Sequence, residues 1–399
     1  MTAPALELAT LTERLRAARP TLDLRGVEIV ERARCGDGLA STADRVSLRL
    51  ELGEHTDELP ERVVLKTILL HPYLRFGMPV ILATARVTSA LGRVPLLGRL
   101  ASPLVFGLIG AYQRWFPHAP DAMYANEVRF YAELRPQLSI EAPRVYASSY
   151  EPRNGRFEIV MEDLRDRGAR FPNATTPVSL AQIRSLLDSL ARLHAQHWAS
   201  PRFDDELAWV PGTRRGGMFP VFDAIGLDLI RDQLRRSADK RELIAPLERS
   251  IEQLWEAMWR VQLEFEAGPT TLCHGDAHIG NTYLLSEDQA GLLDWQLMVR
   301  GCWAHDLSYL LATGLSVEQR RAHEHELLAE YLEALARYGV ATPPSPSQAW
   351  LRYRQGMIWG LVIGWLITPP QNYGVEITRA NIGKMVSAMR DLDTLAAIP

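Results

Sequence analysis

The stretch CHGDAHIGNTYLLSEDQAGLLDWQ, residues 273–296, sets a histidine, two aspartates and an asparagine close together between apolar runs. Packing alone gives no reason for that arrangement. TLCHGD and AGLLDWQ read as strands, and YLLS between them is placed to pair with the second as a short hairpin. Asp276, Asn281 and Asp294 then stand at strand and loop ends.

Working outward, the chain changes character along its 399 residues, a length that favours two cores over one. Towards the N-terminus, DRVSLRLEL alternates Val46, Leu48, Leu50 and Leu52 with Ser47, Arg49 and Glu51, the period-two pattern of a half-buried strand. RVYASSYEPRNGRFEIVMEDL adds two strands around an Asn154-Gly155 turn, since both residues tolerate positive φ. Beyond it the period becomes helical. SLAQIRSLLDSLARLH opens with Ser179 and Gln182 at capping-box spacing and carries Leu180, Ile183, Leu187 and Leu190 on one face. Ser316 and Gln319 open another helix through Leu327, Leu328 and Leu332. The expectation is an α+β chain with a strand-rich N-terminal lobe, residues 1–164, and a mostly helical C-terminal lobe, residues 165–399.

Composition excludes several classes. At 47% hydrophobic, 23% charged and a formal charge of −4, the chain is neither disordered nor marked for nucleic acid. Cys35, Cys273 and Cys302 lack disulfide-framework or zinc-site spacing, which suits a reducing cytoplasm, and the N-terminus lacks a signal-peptide pattern. Its leucines suit an amphipathic helix. The uncharged run from Gln355 to Val375 approaches bilayer length, but Pro369, Pro370, Gln371 and Asn372 interrupt it, and a buried helix is expected. Between Arg62 and Pro120 there is no acidic residue among long apolar runs and seven basic residues. That pattern reads as a helical insertion, about 70–120, that packs on the lobes, covers a substrate as a lid, or touches a membrane peripherally.

An aspartate, an asparagine five residues on and a second aspartate eighteen residues after the first meet the needs of phosphoryl transfer. That reaction uses one carboxylate near the acceptor hydroxyl and two oxygen ligands for magnesium. HGDAHIGN followed by LLDWQ resembles the HxDxxxxN loop and metal-binding aspartate of the aminoglycoside phosphotransferase and choline kinase group. With RGCWAHDLSYLL included, it is most similar to the ecdysteroid-kinase-like branch, in its bacterial form.

The resemblance implies a protein-kinase-like bilobal fold and ATP-dependent phosphorylation of a small-molecule hydroxyl, with GTP as the other nucleotide and Mg2+ as metal. It assigns the acceptor proton to Asp276 and the metal to Asn281 and Asp294. His274 would brace the loop, and His278 receives no catalytic role. Asp306 either supports the loop through backbone hydrogen bonds or caps the helix that follows it. Trp303 and His305 either line the acceptor pocket or pack. Lys66 on a third N-lobe strand would position phosphate, with Glu127 on the next helix to orient it. Gly36, Gly38 and Ser41 in CGDGLAST would cover phosphate through backbone N–H groups. The backbone near Met161 and Glu162 would meet adenine.

The acceptor stays open between a hydrophobic alcohol, steroid-like, terpenoid, macrolide or hydroxyacyl, and an aminoglycoside. FDDEL at 203–207 offers acid for the latter, though solvated loop charge explains it equally. Two other classes fit the same sequence: a nucleotide-binding pseudokinase scaffold, and a peripheral membrane protein using the basic apolar insertion. The absence of a DFG and APE pair weighs against a protein kinase. Oligomeric state is not encoded legibly.

Overall fold

The computed structural model describes residues 11–13, 15–16, 23–33, 43–53, 59–67, 122–151, 156–213 and 222–399. The insertion at 70–120 and the proposed phosphate-covering residues Gly36, Gly38 and Ser41 lie outside them. The chain divides into two compact units, Met1–Pro136 with Pro143–Arg167, and Gln137–Ala142 with Gly168–Pro399.

The first unit is built on a five-stranded antiparallel sheet of β1 (Leu24–Ala33), β2 (Asp44–Leu52), β3 (Arg62–Thr67), β4 (Val145–Glu151) and β5 (Arg156–Glu162). The strand order is β1-β2-β3-β5-β4. The alternation read in DRVSLRLEL is realised: Val46, Leu48 and Leu50 join Val63, Leu65 and Val160 in one core, which Leu11 and Leu15 of the N-terminal helical segment also enter. Period-two geometry sends Lys66 to the other face of β3. That face is covered by α1 (Ala122–Arg129), whose Tyr124 stacks on Phe157 of β5 at 4.4 Å between ring centroids. Thr67 Oγ1 donates to the Phe157 carbonyl at 2.8 Å and ties β3 to β5 beside Lys66.

The second unit is mostly helical. Helix α2 (Leu180–Gln196) begins with the full Ser179–Gln182 capping box and buries Ile183, Leu187 and Leu190. After it come α3 (Leu227–Arg236), α4 (Ala238–Ile244) and α5 (Ile251–Glu266), then two small antiparallel pairs. Strand β6 (Thr271–Cys273) pairs with β9 (Val299–Gly301), and β7 (Thr282–Leu284) with β8 (Ala290–Leu292). Helix α2 holds the β7–β8 hairpin by polar contacts: Gln182 Nε2 donates to Ser286 O at 2.6 Å, and Ser185 Oγ accepts from Ala290 N at 3.1 Å. Helices α6 (Ala304–Gly314), α7 (Val317–Arg337), α8 (Pro346–Trp359), α9 (Pro370–Tyr373) and α10 (Val375–Asp391) complete the unit. Helix α7 starts with the Ser316–Gln319 capping box.

The uncharged run is buried as helix through Leu366, while its end beyond the prolines is not: Val375 is exposed. Helix α8 continues as a π-helix over Gly360–Leu366, and among the described residues no helix is long and apolar enough to cross a membrane. Gly356, Gly360 and Gly364, four residues apart, form a groove for α6. A Cβ at Gly356 would lie 2.4 Å from Ser308 Oγ, and one at Gly364 would lie 2.1 Å from the Tyr309 hydroxyl. The carbonyls at the far end of the run are capped by the buried Lys240, which donates to Trp365 O, Leu366 O and Thr368 O at 3.0, 2.9 and 2.6 Å. An ammonium is thereby spent on three carbonyls that the helix end leaves unpaired.

Gly356→Ala should lower unfolding stability by about 1–3 kcal/mol by wedging α8 from α6. Chemical denaturation checks this, and an unchanged midpoint would show that the groove is not tight.

Candidate active site

Three segments of the second unit meet around HGDAHIGN. Asp306, in the first turn of α6, is fully buried and accepts three N–H groups: His274 N at 2.6 Å, Gly275 N at 2.9 Å and His194 Nε2 at 3.1 Å. The N-cap of α6 is Trp303, so Asp306 serves the loop rather than capping its own helix. Burial by itself would push the Asp306 carboxyl up, but the hydrogen bond from His194 and the surrounding histidines hold it below the ordinary carboxylate range.

His194 closes the apolar stripe of α2. Its Nε2–H faces Asp306, so its Nδ1 accepts from the Tyr331 hydroxyl at 2.7 Å, and its carbonyl accepts from Thr271 Oγ1 at 2.6 Å. Sequence reasoning missed His194. The available signal was its position on the Ile183, Leu187, Leu190 face, where a polar group must find a buried partner. Cys273, with His194 and Asp306, offers ligand atoms within 4.8 Å of one another. Each is already engaged, however: Cys273 Sγ donates to Cys302 O at 3.4 Å, and burial pushes its thiol pKa well up. The trio is a hydrogen-bonded core.

Gly275 takes φ +82°, and a Cβ there would lie 2.0 Å from Leu297 O, so only glycine allows the close approach. His274 Nδ1 accepts from Asp276 N at 3.3 Å, which leaves its Nε2–H to donate to Leu293 O at 3.0 Å. Burial lowers the pKa of this imidazole and favours the neutral ring. Leu293 N in turn donates to Asn281 O at 3.0 Å. One residue thus fastens both arms of the loop immediately before Asp294, which adopts a left-handed φ of +68°. Aspartate tolerates that region better than most non-glycine residues. His305 Nε2 holds Gly275 O at 3.0 Å, and Trp303 stacks on Tyr331 at 5.1 Å. Both side chains therefore serve packing and the loop.

Asp276 is half-buried and receives Asn281 Nδ2 on both its carbonyl and its Oδ2, each at 2.9 Å. With the amide N–H groups turned towards Asp276, the Asn281 side-chain oxygen faces away. Burial first, then the nearby negative charge of Asp294, push the Asp276 pKa up to about 7. Asn281 and Asp294 supply oxygen donors of the kind a hard divalent cation takes.

In the first unit Lys66 Nζ meets Glu127 Oε1 at 2.9 Å and Oε2 at 2.6 Å, with both side chains almost wholly buried. The pair spans sixty-one residues of sequence. Met161 and Glu162 lie at the end of β5, paired with Val64 and Val63. The Glu162 carboxylate accepts from Arg144 N at 2.8 Å and from Arg167 Nη1 at 3.2 Å.

The ecdysteroid kinase-like family model matches residues 116–339, more than half of the chain, and covers the whole HGDAHIGN to HDLSYLL region. The chain belongs to the ecdysteroid kinase-like family. Membership makes it a small-molecule phosphotransferase with an alcohol group as acceptor. The architecture is α+β, an antiparallel-sheet unit and a mostly helical unit. No curated protein matches significantly. Similar solved structures include a spectinomycin phosphotransferase in complex with ADP and spectinomycin, 11% identical over 98% of this chain and 100% of that one, TM-score 0.46. A macrolide 2'-phosphotransferase type I is 16% identical over 90% and 93%, TM-score 0.40. The choline kinase of Streptococcus pneumoniae is 12% identical over 95% and 98%, TM-score 0.41.

Two outcomes test this geometry. Glu127→Met alone should destabilise the protein by about 3–5 kcal/mol by removing the carboxylate from a buried ion pair, whereas Lys66→Met with Glu127→Met should recover most of that loss. A double-mutant cycle in denaturant measures the coupling. The second concerns pH. A carboxyl whose pKa rises on folding binds its proton more tightly in the folded chain, so Asp276 costs stability as pH climbs from about 4 to about 7, and fully above that. Asp276→Asn should therefore stabilise the fold at pH 8 by on the order of 1–2 kcal/mol, with the gain vanishing near pH 4. Thermal unfolding at the two pH values reads the difference.

Proposed function

We propose that the protein transfers the γ-phosphoryl group of a nucleoside triphosphate, ATP in the first instance and GTP as the alternative, to a hydroxyl of a hydrophobic small molecule. The observation that carries this reading is the hydrogen-bonded pair Asp276 and Asn281, with Asp294 close enough to raise the Asp276 pKa. Near neutral pH such a carboxylate is basic enough to accept the hydroxyl proton as the hydroxyl oxygen bonds to phosphorus and the nucleoside diphosphate leaves. The side-chain oxygen of Asn281 and the carboxylate of Asp294 fit magnesium, which when bound would neutralise phosphate charge. Lys66, oriented by Glu127, would hold the α- and β-phosphates, with Gly36, Gly38 and Ser41 over them and the backbone at Met161 and Glu162 against the base. His274 and Asp306 keep the loop in shape.

The surroundings of Asp276 favour an apolar acceptor. His278 beside it is ringed by Tyr309, Trp365 and Tyr373. Two of the three acids of FDDEL already face arginines: Asp204 lies 3.4 Å from Arg300, and Glu206 is bonded to Arg202. A cytoplasmic setting, with ATP at hand, suits the free thiols of Cys273 and Cys302.

The deciding experiment measures thermal unfolding with ATP or GTP, with and without magnesium, on the native protein and on Asp294→Ala. A ligand held at 100 times its Kd adds about 2.7 kcal/mol, several degrees of Tm. The expected result is a magnesium-dependent rise that Asp294→Ala loses. No rise with either nucleotide, in a folded sample, would overturn the reading.

A further inference from the structure

His278 lies between Asp276 and Asn281, and the roles given to the loop so far leave it without work. Its ring is 3% exposed. Nδ1 accepts the Gly280 N–H at 3.0 Å, closing the turn that leads into the short 3-10 segment Ile279–Asn281. With that nitrogen acting as an acceptor, the ring proton sits on Nε2. Burial lowers the imidazole pKa to about 4, in keeping with a neutral ring.

The ring has little freedom to turn. Tyr309, Trp365 and Tyr373 stand around it at centroid distances of 5.5, 5.6 and 6.1 Å. On the loop side, a Cβ at Gly280 would lie 2.7 Å from its Cε1. The next residue, Ile279, is pinned through its N–H to Thr313 Oγ1 at 3.0 Å. The direction of the Nε2–H is therefore set by three aromatic rings and the loop backbone.

The carboxylate within reach of that nitrogen is that of Asp276. Nε2 lies 3.9 Å from Oδ2, the same oxygen that takes the Asn281 amide at 2.9 Å. The distance exceeds a hydrogen bond by about 1 Å, a gap of the size that catalytic contacts close when substrate binds. Two nitrogens of the same short turn, the Asn281 amide bonded to it and His278 Nε2 at 3.9 Å, thus stand near one carboxylate oxygen.

Building on the reading of Asp276 as the group that meets the acceptor hydroxyl, we propose that His278 is a positioning residue. Its Nε2–H and the Asn281 amide together fix Oδ2 of Asp276, so that Oδ1 is the oxygen presented to the acceptor. The aromatic ring of residues around His278 keeps the imidazole aimed, and so acts on the reacting carboxylate through it. A role confined to turn capping would use Nδ1 alone, and the two roles separate by substitution. Asparagine places a carbonyl oxygen where Nδ1 accepts and has nothing at the Nε2 position. Glutamine places an N–H near the Nε2 position and gives up the cap.

The test has two arms. In the full-length protein with 15N-labelled histidine, the His278 imidazole is expected as the neutral Nε2–H form, and its Nε2 resonance should move in Asp276→Asn. A resonance indifferent to Asp276→Asn overturns the proposal, and this arm needs no substrate. In the second arm, phosphate release from magnesium–ATP, with water as acceptor, is followed in His278→Asn and His278→Gln. The expected result is a kcat about 100-fold lower in His278→Asn at unchanged KM for ATP, with His278→Gln recovering most of the loss. The opposite ranking, or equal activity in both variants and the native protein, overturns the proposal. Should either variant fail to fold, the resonance in the native protein and Asp276→Asn decides. Phosphate release that survives Asp276→Asn counts against the functional reading itself, and release lost in Asp276→Asn but intact in His278→Asn counts against His278 alone.

Discussion

The HGDAHIGN loop depends on a single buried carboxylate. Asp306 sits in the first turn of a helix and accepts two consecutive backbone N–H groups of the loop, from His274 and Gly275, together with the imidazole of His194. Consecutive N–H groups can point at one acceptor only when the backbone turns sharply, which the positive φ of Gly275 permits. An unpaired carboxylate at this depth would be costly, and the three donors keep it ionised. The polarity of the loop is thereby satisfied from below, and Asp276 is left on the side that retains some solvent access.

From this anchor the rest of the site follows by short links. His194 carries the constraint to α2 and, through Tyr331, to α7. At its other end α2 holds the β7–β8 hairpin through Gln182 and Ser185, so one helix sets the spacing between β6, which leads into the loop, and the strand that leads to Asp294. Leu293 then joins the arms, its N–H on Asn281 and its carbonyl on His274. The glycine groove of the Gln355 to Val375 run presses α6 into place. Packing and the site share these contacts: on α8, far along the chain, Gly356 lies against Ser308 and Ala304, each two residues from Asp306.

Charge is distributed by the same logic. Asp306 is held below the usual carboxylate range by donors, while Asp276, with a single amide donor and Asp294 nearby, is pushed up to about 7. Two carboxylates thirty residues apart are assigned opposite tasks by their surroundings: one stays charged as scaffold, the other titrates near neutrality. In the first unit, the Lys66–Glu127 pair shows the same economy, with each buried charge neutralised by the other.

The sequence alone determined the sheet-bearing and helical units, both capping boxes, the core alternation of β2, and the family, because these rest on local periodicity and on a short motif whose residues are neighbours in the chain. The family resemblance named Lys66 and Glu127 as a pair, strand alternation agreed in sending Lys66 away from Val63 and Leu65, and the two side chains do meet. Only the tertiary structure decided that Asp306 feeds the loop instead of capping its helix, that His194 is its partner from 112 residues away, and that His278 Nε2 comes within 3.9 Å of Asp276. Those facts depend on which buried polar groups meet, and a polar residue on an apolar stripe announces that it needs a partner without saying which one. The hydrogen bonds that shape the site join α2, β6, α6 and α7, and their pairing exists only once the helices have packed.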